Sequence, residues 1–260
     1  MDFKKFQDEK IPVIGLGTWQ IKDSSLIKNA IDIGYRHIDT AQMYRNERYV
    51  GKAIDNSEIF REKIFLTTKL SRTNLREEDV FRSFEKSLTK LKTDYVDLLL
   101  IHWPNSSVPL RETIEAMNKL QDENKARYIG VSNFSVDLLR KAKSISKYPL
   151  LCNQVEYHPF YNQDEILEFC MQNNMLFISY SPLAKGRVLR NNELKEIGKK
   201  YDKTSAQITL RWHIQQENVI AIPKAGNIRH LKENIDIFDF KLDQEDMEKI
   251  FKLEKDMKLI

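Results

Sequence analysis

Glycine is scarce: 8 of 260 residues, well under half the usual frequency of about 7%. That disfavours a sandwich of many short strands turned on glycine. Cysteine is scarcer still. Cys152 and Cys170 stand 18 residues apart without a partner motif, so neither a disulfide framework nor a zinc knuckle is expected and both read as small buried hydrophobes. Long apolar runs are missing as well. None is longer than the strand-sized run 98–101, and no stretch approaches the roughly 18 residues a membrane span needs. The first ten residues carry Lys4, Lys5, Asp8, Glu9 and Lys10 and no apolar segment, so no signal peptide is read there and a cytoplasmic location is expected. An excess of one charge is lacking too: 42 Lys and Arg face 38 Asp and Glu, a net of +4. A nucleic-acid surface would need clustered positive charge, so no nucleic-acid partner is expected.

What is present is a 41% hydrophobic, 31% charged chain with the balance of a soluble fold. Its length allows one or two domains by simple division, but α/β barrels of about 250 residues are single domains. Short apolar, β-branched runs alternate with amphipathic segments from end to end, with no linker or low-complexity tract. The expectation is one domain over residues 1–260. Candidate strands are 16–18, 36–39, 64–69, 96–102, 128–131, 153–156, 176–180 and 219–222. Between them lie helical patterns. In 25–33, Leu26, Ile27, Ala30 and Ile31 share a face, a serine caps the start and Gly34 supplies a left-handed stop. Val80, Phe81, Phe84, Leu88 and Leu91 recur at three- and four-residue intervals, the stripe a helix needs to cover a sheet. The run 96–101 is apolar almost throughout rather than alternating, the mark of a parallel strand buried on both faces. The strand-end markers Thr18, Asp39, Lys69, His102, Asn133, Gln154, Tyr180 and Lys224 are 21 to 44 residues apart. Each gap holds a helix, and the last holds an extra one at 206–216. Eight strand–helix units predict an α/β fold, a (β/α)8 TIM barrel, ahead of a doubly wound open sheet. Residues 1–15 are expected to form a leading hairpin, and 243–253 a terminal helix.

Active sites of such barrels lie at the carboxyl ends of the strands. Polar residues ending apolar runs are therefore the candidates. Asp39 ends YRHID, Lys69 ends IFLTTK, His102 ends LLLIH, and Tyr44 follows Asp39 by five residues. On three consecutive strand ends these four can face one small volume. A tyrosine hydroxyl near pKa 10 is a poor acid at neutral pH, but an adjacent ammonium lowers it. Lys69 is placed to be that cation, Asp39 to balance it, and His102 to donate to an oxygen. The set suits protonation of a developing alkoxide, as carbonyl reduction requires.

A hydride source is the other half. GLGTWQ at 15–20 superficially resembles a dinucleotide fingerprint, but its third glycine is Gln20. The loops after strands seven and eight, which often hold phosphate in barrels, read better. There AIPKAGNIRHLKEN places Lys224 at a strand end, Asn227 as a helix cap, and Arg229 and His230 in the first turn, an anion site of helix N–H groups and cations. Ser132 and Asn133 after strand five and Gln154 in strand six offer hydrogen bonds to an amide, and Tyr180 offers a flat face for a nicotinamide.

With these residues in place, the chain resembles the aldo-keto reductase family over nearly its whole length, through GLGTW, GYRHIDTAQMYRNE, TTKL, DLLLIHWP, GVSNF, NQVEYHP, SYSPLA and IPKAGN followed by KEN. It is similar to compact prokaryotic-type members, the aldehyde and diketogluconate reductases. The resemblance implies a (β/α)8 barrel that binds NADPH without a Rossmann domain, with a small carbonyl substrate and a monomeric state, a weak dimer being the alternative. It implies Tyr44 as general acid, Lys69 and Asp39 as the pair lowering its pKa, and His102 orienting the carbonyl. Ser132, Asn133 and Gln154 would hold the carboxamide and Tyr180 would stack on the nicotinamide. Thr18 and Trp19 would adjoin the cofactor, Ser181 and Leu183 would line the pyrophosphate path, and Lys224, Asn227, His230, Glu233 and Asn234 would meet the adenosine end. Trp19 and Trp103 would wall the substrate pocket. Three features depart from the family pattern. Ala225 replaces the usual hydroxyl after the phosphate lysine and His230 the usual arginine, which leaves NADH open beside NADPH. Ser71 stands where many relatives carry a pocket tryptophan. The rim segments are short, which predicts a shallow, permissive pocket.

Rival chemistries fit less well. A retaining glycosidase needs paired carboxylates at strand ends, whereas strands four and seven end in His102 and Tyr180 and Glu156 is alone. A metal site is not expected, because His37, His102, His158, His213 and His230 are scattered. A Schiff-base aldolase would need a neutral Lys69. A non-catalytic, regulatory or structural cofactor-binding relative is the remaining alternative, against which the intact Asp39, Tyr44, Lys69 and His102 set argues.

Overall fold

A computed structural model describes residues 2–161, 163–253 and 257–260; Met1, at the start of the expected hairpin, lies outside them. The chain's contacts group into two compact units, Gly17–Asn153 and Met1–Leu16 with Gln154–Ile260.

The unit Gly17–Asn153 begins at β3 (Leu16–Gly17) and runs through α1 (Ser24–Ile33), β4 (His37–Asp39), α2 (Glu47–Asp55), β5 (Phe65–Leu70), α3 (Glu77–Leu91), β6 (Val96–Ile101), α4 (Leu110–Asp122), β7 (Ala126–Ser132) and α5 (Val136–Ile145). β4, β5, β6 and β7 pair in parallel, with His37 opposite Phe65, Lys69 opposite Leu100, and Leu100 opposite Gly130. Every residue of β5 and β6 is buried, which is why these strands lack alternation. A charge inside such a strand needs partners, and Asp97 has them. Its carboxylate accepts the Leu66 N–H at 2.9 Å and meets Arg61 at 2.9 Å and Arg127 at 3.1 Å. Both guanidinium groups also lie 4.3 Å from the Tyr95 ring centre. This charged cluster pins the start of β6 and leaves its far end to His102.

The helices follow the sequence pattern closely, with two corrections. α1 stops as expected at Gly34, whose φ of 125° suits glycine, but its cap is Asp23 rather than a serine. The Asp23 carboxylate accepts the Ser25 and Leu26 N–H groups, and a carboxylate also suits the positive helix end. In α3 the buried face is Val80, Phe84, Ser87, Leu88 and Leu91. Phe81 lies about 100° around the helix from Val80 and is only half-buried. α2 and α3 touch backbone to backbone: a Cβ on Gly51 would lie 2.4 Å from the Lys90 carbonyl oxygen.

The other unit opens with the expected hairpin, β1 (Phe3–Phe6) against β2 (Glu9–Pro12), antiparallel with Phe3 opposite Pro12. It continues through β8 (Cys152–Glu156), which starts at its edge, α6 (Asp164–Gln172), β9 (Leu176–Tyr180), α7 (Asn192–Tyr201), α8 (Ser205–Gln215), β10 (Val219–Ala221), α9 (Ile228–Ile235) and α10 (Gln244–Phe251). β9 and β10 are parallel, and Ile14 bridges in parallel to Ala221. α7 and α8 fill the long last gap, and α8 starts in a capping box between Thr204 and Gln207. α10 is the expected terminal helix, and its cap is Asp243, whose side chain accepts the Asp246 N–H. Trp212 is fully buried, stacked on Tyr157 at 5.2 Å. Among the described residues no helix is long and apolar enough to cross a membrane.

Candidate active site

Asp39, Tyr44, Lys69 and His102 come together within the Gly17–Asn153 unit. Asp39 is the last residue of β4, Lys69 the penultimate residue of β5, and His102 directly follows β6. Tyr44 ends a short 3-10 turn, Gln42–Tyr44. The Lys69 side chain is fully buried. Its ammonium donates to Asp39 Oδ1 at 2.5 Å, to the Thr40 carbonyl at 2.9 Å and to the Tyr44 hydroxyl at 3.3 Å. Three acceptors for three N–H bonds fully satisfy the ammonium. The Tyr44 ring stands edge-on to the His102 ring, 5.5 Å between centres.

Electrostatics set the proton states. Burial pulls Lys69 down, but the Asp39 charge and the hydrogen bonds to Asp39 and Tyr44 outweigh it, so its pKa lies above the ordinary value. Lys69 is an ammonium, the wrong state for a Schiff-base nucleophile. His102 is pushed down to about 3, by burial first and by the Lys69 charge second, and is a neutral imidazole at physiological pH. For Tyr44 the sequence expectation is corrected. Lys69 does pull the phenol down by charge and hydrogen bond, but burial pushes it up more strongly and the Asp39 carboxylate adds to that, so the phenol lies above its ordinary value.

The other candidates of this unit sit nearby in the chain. Thr18 is buried, and its N–H and hydroxyl both donate to the Asp39 carbonyl at 2.9 Å. Trp19 is 45% exposed and Trp103 half-buried. Ser132 ends β7, and the Asn133 side chain donates to the His102 carbonyl at 2.9 Å and to Ser132 Oγ at 3.0 Å. Asn133 adopts φ 63°, a left-handed conformation that asparagine tolerates.

In the other unit, Gln154 is buried within β8, Tyr180 ends β9, and Ser181 and Leu183 follow it, half-buried. Lys224 is exposed beyond β10. Asn227 caps α9, its side chain accepting the His230 N–H at 2.8 Å. Arg229 and His230 lie side by side in the first turn, Nη2 to Nε2 3.2 Å. Glu233 accepts the Thr204 hydroxyl at 2.7 Å, and Asn234 is buried. Glu156, the lone carboxylate weighed for a glycosidase, is held by other groups. It meets His158 Nε2 at 3.2 Å and accepts the N–H groups of Leu259 and Ile260 at 2.7 and 2.9 Å, which occupies it structurally.

Residues 13–255 match the model of the aldo/keto reductase family. The chain belongs to the aldo/keto reductase family. It is 40% identical to the 9,11-endoperoxide prostaglandin H2 reductase of Trypanosoma cruzi (strain CL Brener), over 96% of this chain and 90% of that protein. It is also 40% identical to the glyoxal reductase of Bacillus subtilis (strain 168), over 95% and 90%. Among solved structures, an aldo/keto reductase from Brucella melitensis aligns with TM-score 0.92 and 43% identity over 97% of this chain and 99% of that one. The aldose reductase of Schistosoma japonicum aligns with TM-score 0.95 and 32% identity over 100% and 94%. The fold is accordingly the (β/α)8 barrel of these enzymes, as the eight strand ends predicted. Like other aldo/keto reductases, the protein is an oxidoreductase acting on carbonyl compounds, in a family that uses nicotinamide cofactors.

Two side chains of this aldo/keto reductase that bracket Tyr44, Gln42 and Asn46, stand outside the sequence candidates. Gln42 accepts from the Ser71 N–H and Asn74 and donates to Ser83 and Ser87. Ser71, noted only for a missing tryptophan, thus fastens the tyrosine's turn. Asn46 is wholly buried and bonds to Thr18, Ile21 and Thr40. The available signal was the polarity of TAQMYRNE, too many hydrogen-bonding groups for a segment joining two buried elements.

Proposed function

We propose that this aldo/keto reductase reduces aldehydes and ketones to alcohols with NADPH, Tyr44 supplying the proton. The observation that carries the reading is the Lys69 ammonium held against both Asp39 and the Tyr44 hydroxyl, beside a neutral His102. The residues fit a nicotinamide dinucleotide by the chemistry of their donors. Ser132, Asn133 and Gln154 suit a carboxamide, Tyr180 an aromatic ring, and Lys224, Asn227, Arg229 and His230 a phosphate at a helix start. Thr18, Trp19, Ser181, Leu183, Glu233 and Asn234 keep the roles the resemblance gives them.

Reduced nicotinamide, when bound, supplies a hydride to the carbonyl carbon. The chain's own residues handle the oxygen. His102, neutral, donates a hydrogen bond that orients the carbonyl. Tyr44, above its ordinary pKa, holds its proton at every physiological pH and gives it to the oxygen as negative charge develops there. The phenolate left behind lies against Lys69, whose charge and hydrogen bond offset the cost of forming it. Water then returns the proton to Tyr44. Trp19 and Trp103 wall the pocket. Small aldehydes and dicarbonyls are the substrate class, in line with the glyoxal reductase relative. Lys224 reads the 2′-phosphate with Arg229 or His230, which favours NADPH over NADH. Residues 1–260 act as one catalytic domain, a cytoplasmic monomer.

A substrate panel read by the absorbance of reduced nicotinamide tests this. Oxidation of NADPH that depends on glyoxal or a simple aldehyde is expected. Binding of NADPH without turnover of any aldehyde or ketone would assign the chain to the non-catalytic relatives instead.

A further inference from the structure

We infer that Asn46 is a positioning residue for the acid: it closes a ring of hydrogen bonds around the Lys69–Asp39 pair and so sets the distance between the Lys69 ammonium and the Tyr44 hydroxyl. The inference rests on the reading of Tyr44 as the acid.

Asn46 stands at the cap of α2, where an asparagine ordinarily turns its side chain back to the first helical N–H groups. Here the side chain makes no such bond. It points instead into the strand ends, with no exposure. Its Oδ1 accepts the Thr40 hydroxyl at 2.7 Å, and its Nδ2 donates to the carbonyls of Thr18 at 2.7 Å and Ile21 at 3.0 Å. Both ends of this link return to the ion pair. Thr18 bonds twice to the Asp39 carbonyl, and the Thr40 carbonyl accepts from the Lys69 ammonium at 2.9 Å. The ring therefore runs from Asp39 through Thr18, Asn46 and Thr40 to Lys69, and back to Asp39.

Two consequences follow from the chain's layout. Asn46 is two residues beyond Tyr44, so one short segment carries both the proton donor and the group that fixes its cation. The Thr18 and Ile21 carbonyls flank Trp19 and Gln20, the latter at φ 64°, so the same amide also holds the turn that presents Trp19. Opening the ring at Thr40 or at Asn46 frees the Thr40 carbonyl and lets the ammonium settle on Asp39, away from the phenol.

The test uses Thr40→Val, Thr40→Ser and Asn46→Ala in the full chain. A retreat of the ammonium by about 1 Å weakens its hold on a phenolate by about one pKa unit. The expected result for Thr40→Val and Asn46→Ala is a roughly tenfold fall in kcat, an alkaline limb of kcat moved up by about one pH unit, and an unchanged KM for a small aldehyde. Thr40→Ser keeps the hydroxyl and recovers most of the loss. The ζ-carbon resonance of Tyr44, assigned through Tyr44→Phe, reports the same upward move without turnover, which serves if a variant is too weak to assay. A fall in kcat or in folding stability with the Tyr44 resonance titrating as in the wild type overturns the inference, leaving Asn46 a structural amide. Failure of the underlying reading looks different: Tyr44→Phe itself remains active.

Discussion

Replacing Gly51 by alanine tests how the site-bearing helix is seated. Gly51 lies in α2 where that helix crosses the end of α3. An added Cβ would meet the Lys90 carbonyl oxygen at 2.4 Å, the Leu91 carbonyl carbon at 2.6 Å and the Leu91 Cα at 2.7 Å. All three are backbone atoms, so no side chain can rotate out of the way. Ordinary contact begins near 3.5 Å, so the two helices must part by about 1 Å. Overpacking of this kind costs about 1–3 kcal/mol, and contact with rigid backbone belongs at the upper end. Against it stands the gain of about 1 kcal/mol from removing glycine from a helix interior. The net expectation is a loss of about 2 kcal/mol, read from urea unfolding midpoints. Activity should fall further than stability alone predicts, because the same helix starts at Asn46 and Glu47, the latter accepting the Thr68 hydroxyl beside Lys69 at 2.8 Å. Gly226→Ala is the control, since nothing lies within 4 Å of a Cβ there. If Gly51→Ala proves as stable as Gly226→Ala, the close approach of α2 and α3 is wrong.

Other expectations follow from the same contacts. His102 and His213 are held down to about 3 and about 4, each chiefly by burial, while an unfolded histidine titrates near 6.5. The unfolded chain therefore binds more protons than the native one below that pH, and stability present above pH 6.5 is lost as pH falls toward those values. A loss of about 2 kcal/mol between pH 6.5 and 5.5 is expected by urea unfolding; a flat profile contradicts the buried neutral states. Asp97→Ala leaves Arg61 and Arg127 facing an uncharged strand and should cost about 3 kcal/mol or more, which thermal unfolding would show; an unchanged midpoint would deny the cluster its role. Lys224→Ala should weaken NADPH binding far more than NADH binding in fluorescence titration, and equal losses would remove the 2′-phosphate contact.

The fold was legible because its signals are local. Burial on both faces leaves β6 apolar almost throughout and β5 without alternation, and a polar residue near each strand end marks the place where the barrel opens its site. Asp39, Lys69 and His102 could thus be read together from position alone, and Tyr44 from its distance to Asp39. The α1 cap was misjudged for a small reason: Asp23 and Ser24 are adjacent and both residue types cap well, so only geometry separates them. Phe81 was misjudged because three- and four-residue spacings tolerate a neighbour that the actual helix face excludes. The state of the Tyr44 phenol was not legible at all, since it is a contest between burial and charge whose winner depends on solvent exclusion. Asn46 escaped for a related reason: its cap position has an ordinary explanation, and only the direction of its side chain shows that it does something else.

The most direct measurement compares wild type with Tyr44→Phe in aldehyde-dependent NADPH oxidation, with cofactor binding followed in parallel by fluorescence. Removal of one hydroxyl should leave cofactor affinity nearly unchanged and abolish turnover, because Tyr44 carries the only hydroxyl bonded to the Lys69 ammonium among the described residues. A Tyr44→Phe protein that reduces aldehydes at near the wild-type rate would contradict the account.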